Sequence, residues 1–125
     1  MAMVKIRSYK ELIVWQKSIE LAVVVFEVTK KFPQSELYGL VSQMRRAATS
    51  IPSNIAEGYN RGSKLEYKKF LQNAYGSAAE LETQLIISIK TGLSKQNNFE
   101  KLTNSLVEIL KMLNKMITTL KFKSL

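Results

Sequence analysis

Four cations crowd one turn of the sequence. Arg61, Lys64, Lys68 and Lys69 flank Ser63-Lys64-Leu65-Glu66, whose hydroxyl-to-carboxylate spacing is that of a capping box opening a helix. Lysines in a first helical turn oppose the helix dipole by roughly 0.3–1 kcal/mol each, so the fold itself does not ask for them there. Phosphate would reward them, because a helix start presents free amides to anions. Tyr59 and Tyr67 lie close enough in sequence to stack on bases if they are exposed. The competing reading makes the lysines a solvated face and Tyr67 a core residue. Arg45 and Arg46 form a second basic pair, and Lys5, Arg7, Lys10, Lys121 and Lys123 make both ends of the chain basic.

The carboxylates offer less. Glu57, Glu80 and Glu82 stand in the middle of the chain, but Glu80 and Glu82 are two apart on a helix and point away from one another. Glu57 and Glu80 are expected instead to hold structural contacts to Arg45 or Arg46, or across a subunit boundary, since charge buried without a partner is costly. The chain has no His, no Cys and no Asp. That removes thiolate and imidazole nucleophiles, Ser-His-Asp triads, Cys/His zinc sites and disulfides. A non-enzymatic protein with no metal and no cofactor is expected. Nineteen Lys and Arg against ten Glu leave +9, an excess that draws polyanions, nucleic acid first. No apolar run is long enough to span a membrane, no secretory leader precedes the first helix, and a cytoplasmic protein is expected.

The elements that position these groups read as helices. At 125 residues the chain fits one domain, residues 1–125, with short basic tails over about 1–7 and 122–125. Ser8-Tyr9-Lys10-Glu11 is a first capping box, predicting a helix from Tyr9 to Lys31 that Pro33 ends. It carries two apolar stripes. Leu12, Trp15, Ile19, Ala22 and Phe26 read as the core face, which leaves Val14, Ser18, Leu21, Val25 and Val28 for another subunit. Ser35 is the expected cap of a second helix that Pro52 should kink or break near Thr49-Ser50, with Asn54 capping the resumed turn and Gly58 closing it. A third helix runs from Ser63 to about Thr91 and stops at Gly92. Its core stripe is Tyr67, Leu71, Ala74, Ala78, Leu81 and Leu85, and Tyr75, Ala79, Ile86 and Leu93 mark another face. The small residues from Gly76 to Ala79, with Ala47, Ala48 and Ser50, predict a close crossing of helices two and three; room for a ligand at Gly76 is the other reading. Asn97 or Asn98 caps a fourth helix reaching Lys121, with a heptad of Leu102, Leu106, Ile109, Leu113, Met116 and Leu120 and a wet side of Lys101, Glu108, Lys111 and Lys115. The fold class is all-α, an antiparallel up-down-up-down four-helix bundle with a Pro-kinked second helix.

Arg45-Arg46-Ala47, Ser50-Ile51-Pro52-Ser53-Asn54-Ile55-Ala56-Glu57-Gly58, Phe70-Leu71 and the run from Gly76 through Glu80 to Leu85 resemble the 23S ribosomal RNA intervening-sequence protein family, a group that includes the accessory variability proteins of diversity-generating retroelements. The similarity reaches from Tyr9-Lys10-Glu11-Leu12 and Trp15 to the fourth helix. It implies protomers assembled into a ring-like homopentamer, and in the retroelement members a basic ring that binds nucleic acid beside a reverse transcriptase. Within the resembling segments, Pro52, Asn54, Glu57, Gly58, Gly76 and Glu80 are structural positions. Five copies of a +9 chain would carry +45.

Two functions follow from this reading. The first is a homo-oligomeric bundle that binds RNA or DNA by phosphate without strong sequence specificity, using Arg61, Lys64, Lys68, Lys69, Arg45 and Arg46, with a reverse transcriptase as a candidate partner. Its subunit interface is expected at Val14, Leu21, Val25, Val28, Tyr75 and Ile86. The alternative is a protein-interaction or structural ring with no nucleic-acid role.

Overall fold

A computed structural model of the protein describes residues 7–93 and 96–123, with side chains over 7–93 and 99–120. Lys5 and the side chains of Asn97, Asn98, Lys121 and Lys123 therefore lie outside what is described. The described chain is all-α, with four long helices and no strand: α1 (Ile13–Thr29), α2 (Ser42–Tyr59), α3 (Lys64–Lys90) and α4 (Gln96–Lys123). Each helix packs on the next, and α1 packs on α4, so the four enclose one core in cyclic order. Contacts fix the directions. Met44 meets Ser88 and Ser50 meets Ser77, so α2 and α3 run antiparallel. Arg45 at the start of α2 reaches Thr29 at the end of α1, while Lys17 near the start of α1 pairs with Glu108 of α4. No described helix is long and apolar enough to cross a membrane.

The third and fourth helices follow their sequence signals. Ser63 Oγ accepts a hydrogen bond from the Glu66 amide at 3.1 Å, and α3 ends where Gly92 takes φ +75°, a conformation L side chains rarely adopt. Its expected stripe, Leu71 through Leu85, is buried, and Tyr67 packs half-buried against it. On α4, Leu102, Leu106, Ile109 and Leu113 are buried, Met116 and Leu120 pack against them, and Lys101, Glu108, Lys111 and Lys115 face water.

The first two helices depart from expectation. The Ser8 capping box closes only a 3-10 turn, Tyr9–Glu11: Ser8 Oγ accepts from the Lys10 amide, Glu11 accepts from the Arg7 amide, and Leu12 is extended before α1 begins. Both stripes of α1 reach the core: Leu12, Trp15 and Ala22 of the expected core face pack against it half-buried, but the deeper residues come from the other stripe. Val14, Leu21 and Val25 are core residues of the protomer, Val28 packs against them, and Ile19 and Phe26 are exposed. These three valines and the leucine are thus removed from the expected subunit interface. Hydroxyls made this possible: Ser18 donates to the Trp15 carbonyl at 2.8 Å and Thr29 to the Val25 carbonyl at 2.7 Å, so both enter the core with their polar atoms satisfied. Trp15 meets the Tyr9 ring edge to face at 5.3 Å, and Phe26 stays at the edge under Arg45 of α2.

Ser35 caps nothing. It lies in a 3-10 turn, Gln34–Glu36, and a wide turn over Leu37–Val41, irregular at Gly39, leads into α2. α2 then passes through Pro52 as one α-helix. The amide that Pro52 lacks would have served the Ala48 carbonyl, and side chains add donors to the next two carbonyls: Ser53 Oγ donates to the Thr49 carbonyl at 2.8 Å, and Asn54 Nδ2 donates to the Ser50 carbonyl at 2.8 Å and to Ser50 Oγ at 2.9 Å. Asn54 is therefore a mid-helix brace and not a cap. Gly58 sits inside the last turn of α2, where an added Cβ would lie 2.6 Å from Phe70 Cβ; it permits a close crossing with α3 and does not end the helix. Ala47, Ala48, Ala74 and Ala78 line the same crossing, with Ser50 and Ser77 bonded across it at 2.9 Å. Gly76 is outside it, exposed, with nothing within 4 Å of an added Cβ.

Candidate nucleic-acid interface

The turn between α2 and α3 brings the first basic group together. Arg61 pairs with Glu57 at 2.8 Å and lays its guanidinium over the Phe70 ring at 5.0 Å, so Glu57 finds its partner one turn away and not at Arg45 or Arg46. That pair is exposed on both sides and contributes at most about 1 kcal/mol. Lys64 and Lys69 are exposed and Lys68 half-exposed, with no ion pair at any of the three among the described residues. Tyr59 and Tyr67 meet edge to face at 6.0 Å. Tyr67 packs half-buried against the core, and that burial, with Tyr59 adding to it, pushes its phenol up to about 12.

The arginine pair divides. Arg45 Nε donates to Thr29 Oγ1 at 3.0 Å, and its guanidinium covers the Phe26 ring at 4.8 Å. Its charge thus sits at the C-terminal end of α1, where the helix dipole favours a cation. It ties α1 to α2 and is occupied. Arg46 is exposed on the outer side of α2. Glu80 is likewise exposed, and its recorded contact is from Gln84 Nε2 at 3.3 Å; neither arginine reaches it. Tyr75 and Ile86 are exposed on α3.

Antiparallel packing gathers charge in a way the linear sequence hides. The half of the molecule holding residues 7–20, 51–76 and 108–120 carries nine Lys and Arg against Glu11, Glu20, Glu57, Glu66 and Glu108, the last paired with Lys17. The nine are Arg7, Lys10 and Lys17 from the α1 end, Arg61, Lys64, Lys68 and Lys69 around the α2–α3 turn, and Lys111 and Lys115 from α4. The other half, residues 21–50, 77–93 and 99–107, carries six cations against five Glu. Most of the excess of the described residues thus lies at one end.

A family model described as 23S rRNA-intervening sequence protein matches residues 10–115. The chain belongs to this family. A crystal structure from Bacteroides thetaiotaomicron, of a protein with unknown function from the S23 ribosomal protein family, matches with a TM-score of 0.79 at 29% identity, covering 84% of this chain and 98% of that one. A comparison with curated proteins finds no match.

For this intervening-sequence protein, the family's most distinctive segment, Ser50 to Gly58, is accounted for by architecture: a proline braced by Ser53 and Asn54, and a glycine under Phe70. The cations lie outside that segment. Sequence reasoning expected Lys64, Lys68 and Lys69 at a helix start but not that Lys111 and Lys115 lie in the same half of the molecule, because only the directions of the helices reveal that the start of α1, the end of α4 and the α2–α3 turn share one end. Among the described residues, no cluster of three or more acidic side chains could hold a metal ion.

Proposed function

We propose that this protein is a non-enzymatic, self-associating nucleic-acid-binding protein that holds RNA or DNA by phosphate at the end where α2 turns into α3. The observation that carries this reading is the asymmetry of charge: nine cations against five carboxylates in one half, six against five in the other. A solubilising surface has no need to separate its charges this way, whereas a phosphate backbone is attracted to a concentrated field. The absence of His, Cys and Asp supports a binding role over catalysis. Readout of base identity is not part of the reading, since the chain carries no recognised base-reading motif.

Self-association as a ring-like homopentamer of antiparallel four-helix bundles is the assembly that family membership suggests. The exposed apolar residues of α1 and α3 support it. A cytoplasmic location and a reverse-transcriptase partner belong to the same proposal, the latter tested by copurification after nuclease treatment. The binding claim is tested by fluorescence anisotropy with single-stranded and duplex RNA and DNA between about 50 and 200 mM salt, where phosphate contacts give a steep negative slope of log K against log salt. Affinity that falls steeply with salt is the expected result. No binding at the lowest salt contradicts the proposal and favours a purely structural or protein-binding ring.

A further inference from the structure

Two faces of the protomer are left uncovered, and they match each other. On the α1–α2 side, Ile19, Val23 and Phe26 are 37%, 52% and 39% exposed. Beside Phe26 lies a shallow groove of about 460 Å³ lined by Arg45, Arg46, Thr49 and Ser53 and by no carboxylate. On the α3–α4 side, a groove of about 540 Å³ has an apolar floor of Leu85, Ile86 and Ile89, with Ile86 49% exposed. Its walls are Glu82, Glu100, Thr103 and Asn104, and no cation lines it. In a molecule of net charge +9, an acid-walled groove with an apolar floor is a place where nucleic acid is repelled.

The cyclic order α1, α2, α3, α4 puts these two faces on opposite sides of the protomer. They also stand at the same height. The Phe26 ring lies under Arg45 at 4.8 Å, and Met44, the residue before it, meets Ser88 at 3.6 Å, which places the cationic patch level with the segment from Leu85 to Ile89. A self-complementary dimer would set arginine against arginine or glutamate against glutamate. Opposite, complementary faces at one level instead suit a head-to-tail contact whose rotation axis runs along the helices, so that successive copies turn without climbing.

We infer that a second copy of this chain seats its α1–α2 face in the α3–α4 groove, with Ile19, Val23 and Phe26 against Ile86 and Ile89, and Arg46 facing Glu82 and Glu100. Arg46 is the cation free to do this, since Arg45 is held at home by Thr29 and Phe26. The inference rests on the proposed self-association and names the surfaces that perform it. One consequence is directional: every copy presents its basic end to the same rim of the assembly.

Sedimentation velocity on the full chain, on Arg46→Glu, on Glu82→Arg and on the double variant tests the pairing, with circular dichroism checking that each variant is folded. The wild type is expected to be oligomeric, each single variant to dissociate at about tenfold or more higher concentration, and the double variant to recover most of the loss. Single variants that assemble like the wild type, or a double variant that does not recover, overturn the assignment of faces while leaving self-association intact. A wild type that stays monomeric removes the proposed self-association, and this inference with it.

Discussion

Gly58 and Gly76 both belong to the segments by which the family is recognised, yet the structure gives them opposite roles, and alanine separates them. At Gly58 a methyl group would stand 2.6 Å from Phe70 Cβ and 3.3 Å from the Tyr67 ring. Phe70 Cβ is fixed to the backbone of α3, so relief requires the two helices to part. Overpacking of this kind costs about 1–3 kcal/mol, against which alanine returns at most about 1 kcal/mol of helix propensity. The net loss is about 1–2 kcal/mol. For a chain of 125 residues the unfolding entropy makes each kcal/mol worth about 4 °C, so Gly58→Ala should melt about 4–8 °C below the wild type. At Gly76 nothing lies within 4 Å of the added methyl, and the residue is exposed inside α3. There the propensity gain stands alone, and Gly76→Ala should melt a few degrees higher. Thermal denaturation by circular dichroism at one fixed protein concentration measures both. A Gly58→Ala protein as stable as the wild type would refute the close crossing, and a destabilised Gly76→Ala protein would show that Gly76 faces something the protomer does not contain.

Leu21→Ala should cost the folded protomer about 2–5 kcal/mol in urea denaturation, because Leu21 is buried, whereas Val23→Ser on the exposed side should leave unfolding within about 0.5 kcal/mol and act on sedimentation instead. Arg45→Gln should lower stability by about 1–2 kcal/mol through loss of the Thr29 and Phe26 contacts, a measurement that treats Arg45 as a tie between helices and not as a phosphate contact. The Tyr67 phenol ionises near 10 when unfolded and at about 12 when folded, so the unfolded chain releases its proton first and stability falls as pH rises from about 10 towards 12. Tyr67→Phe should flatten that part of the decline, read as the difference in urea midpoint between pH 8 and pH 11.

Sequence made α3 and α4 legible because each carries one strong signal: a Ser63 cap and a Gly92 stop on one, a heptad on the other. It misread α1 because both its stripes are apolar enough to be core. What decided between them was the ability of Ser18 and Thr29 to satisfy their hydroxyls on their own backbone, and residue type alone does not announce that. Pro52 does not end α2, which runs on through it as one α-helix, and Ser53 and Asn54 add side-chain donors to the carbonyls of Thr49 and Ser50 beside it. At the candidate site, individual cations were readable but their gathering was not. Lys111 and Lys115 are far from Lys64 in sequence, and only the antiparallel course of the helices brings them to the same half of the molecule.

The central claim is that nucleic acid is held at that end, and two triple variants of equal charge test it most directly. Lys64→Gln/Lys68→Gln/Lys69→Gln removes three cations from the basic half, and Lys30→Gln/Lys31→Gln/Lys90→Gln removes three from the other half. If phosphates are engaged where α2 turns into α3, the first variant loses affinity and its salt slope becomes shallower by up to about 2–3, depending on whether single or double strands are bound, while the second keeps most of the wild-type slope. Equal losses in both variants would mean that only net charge matters, and would contradict the assignment of a binding end.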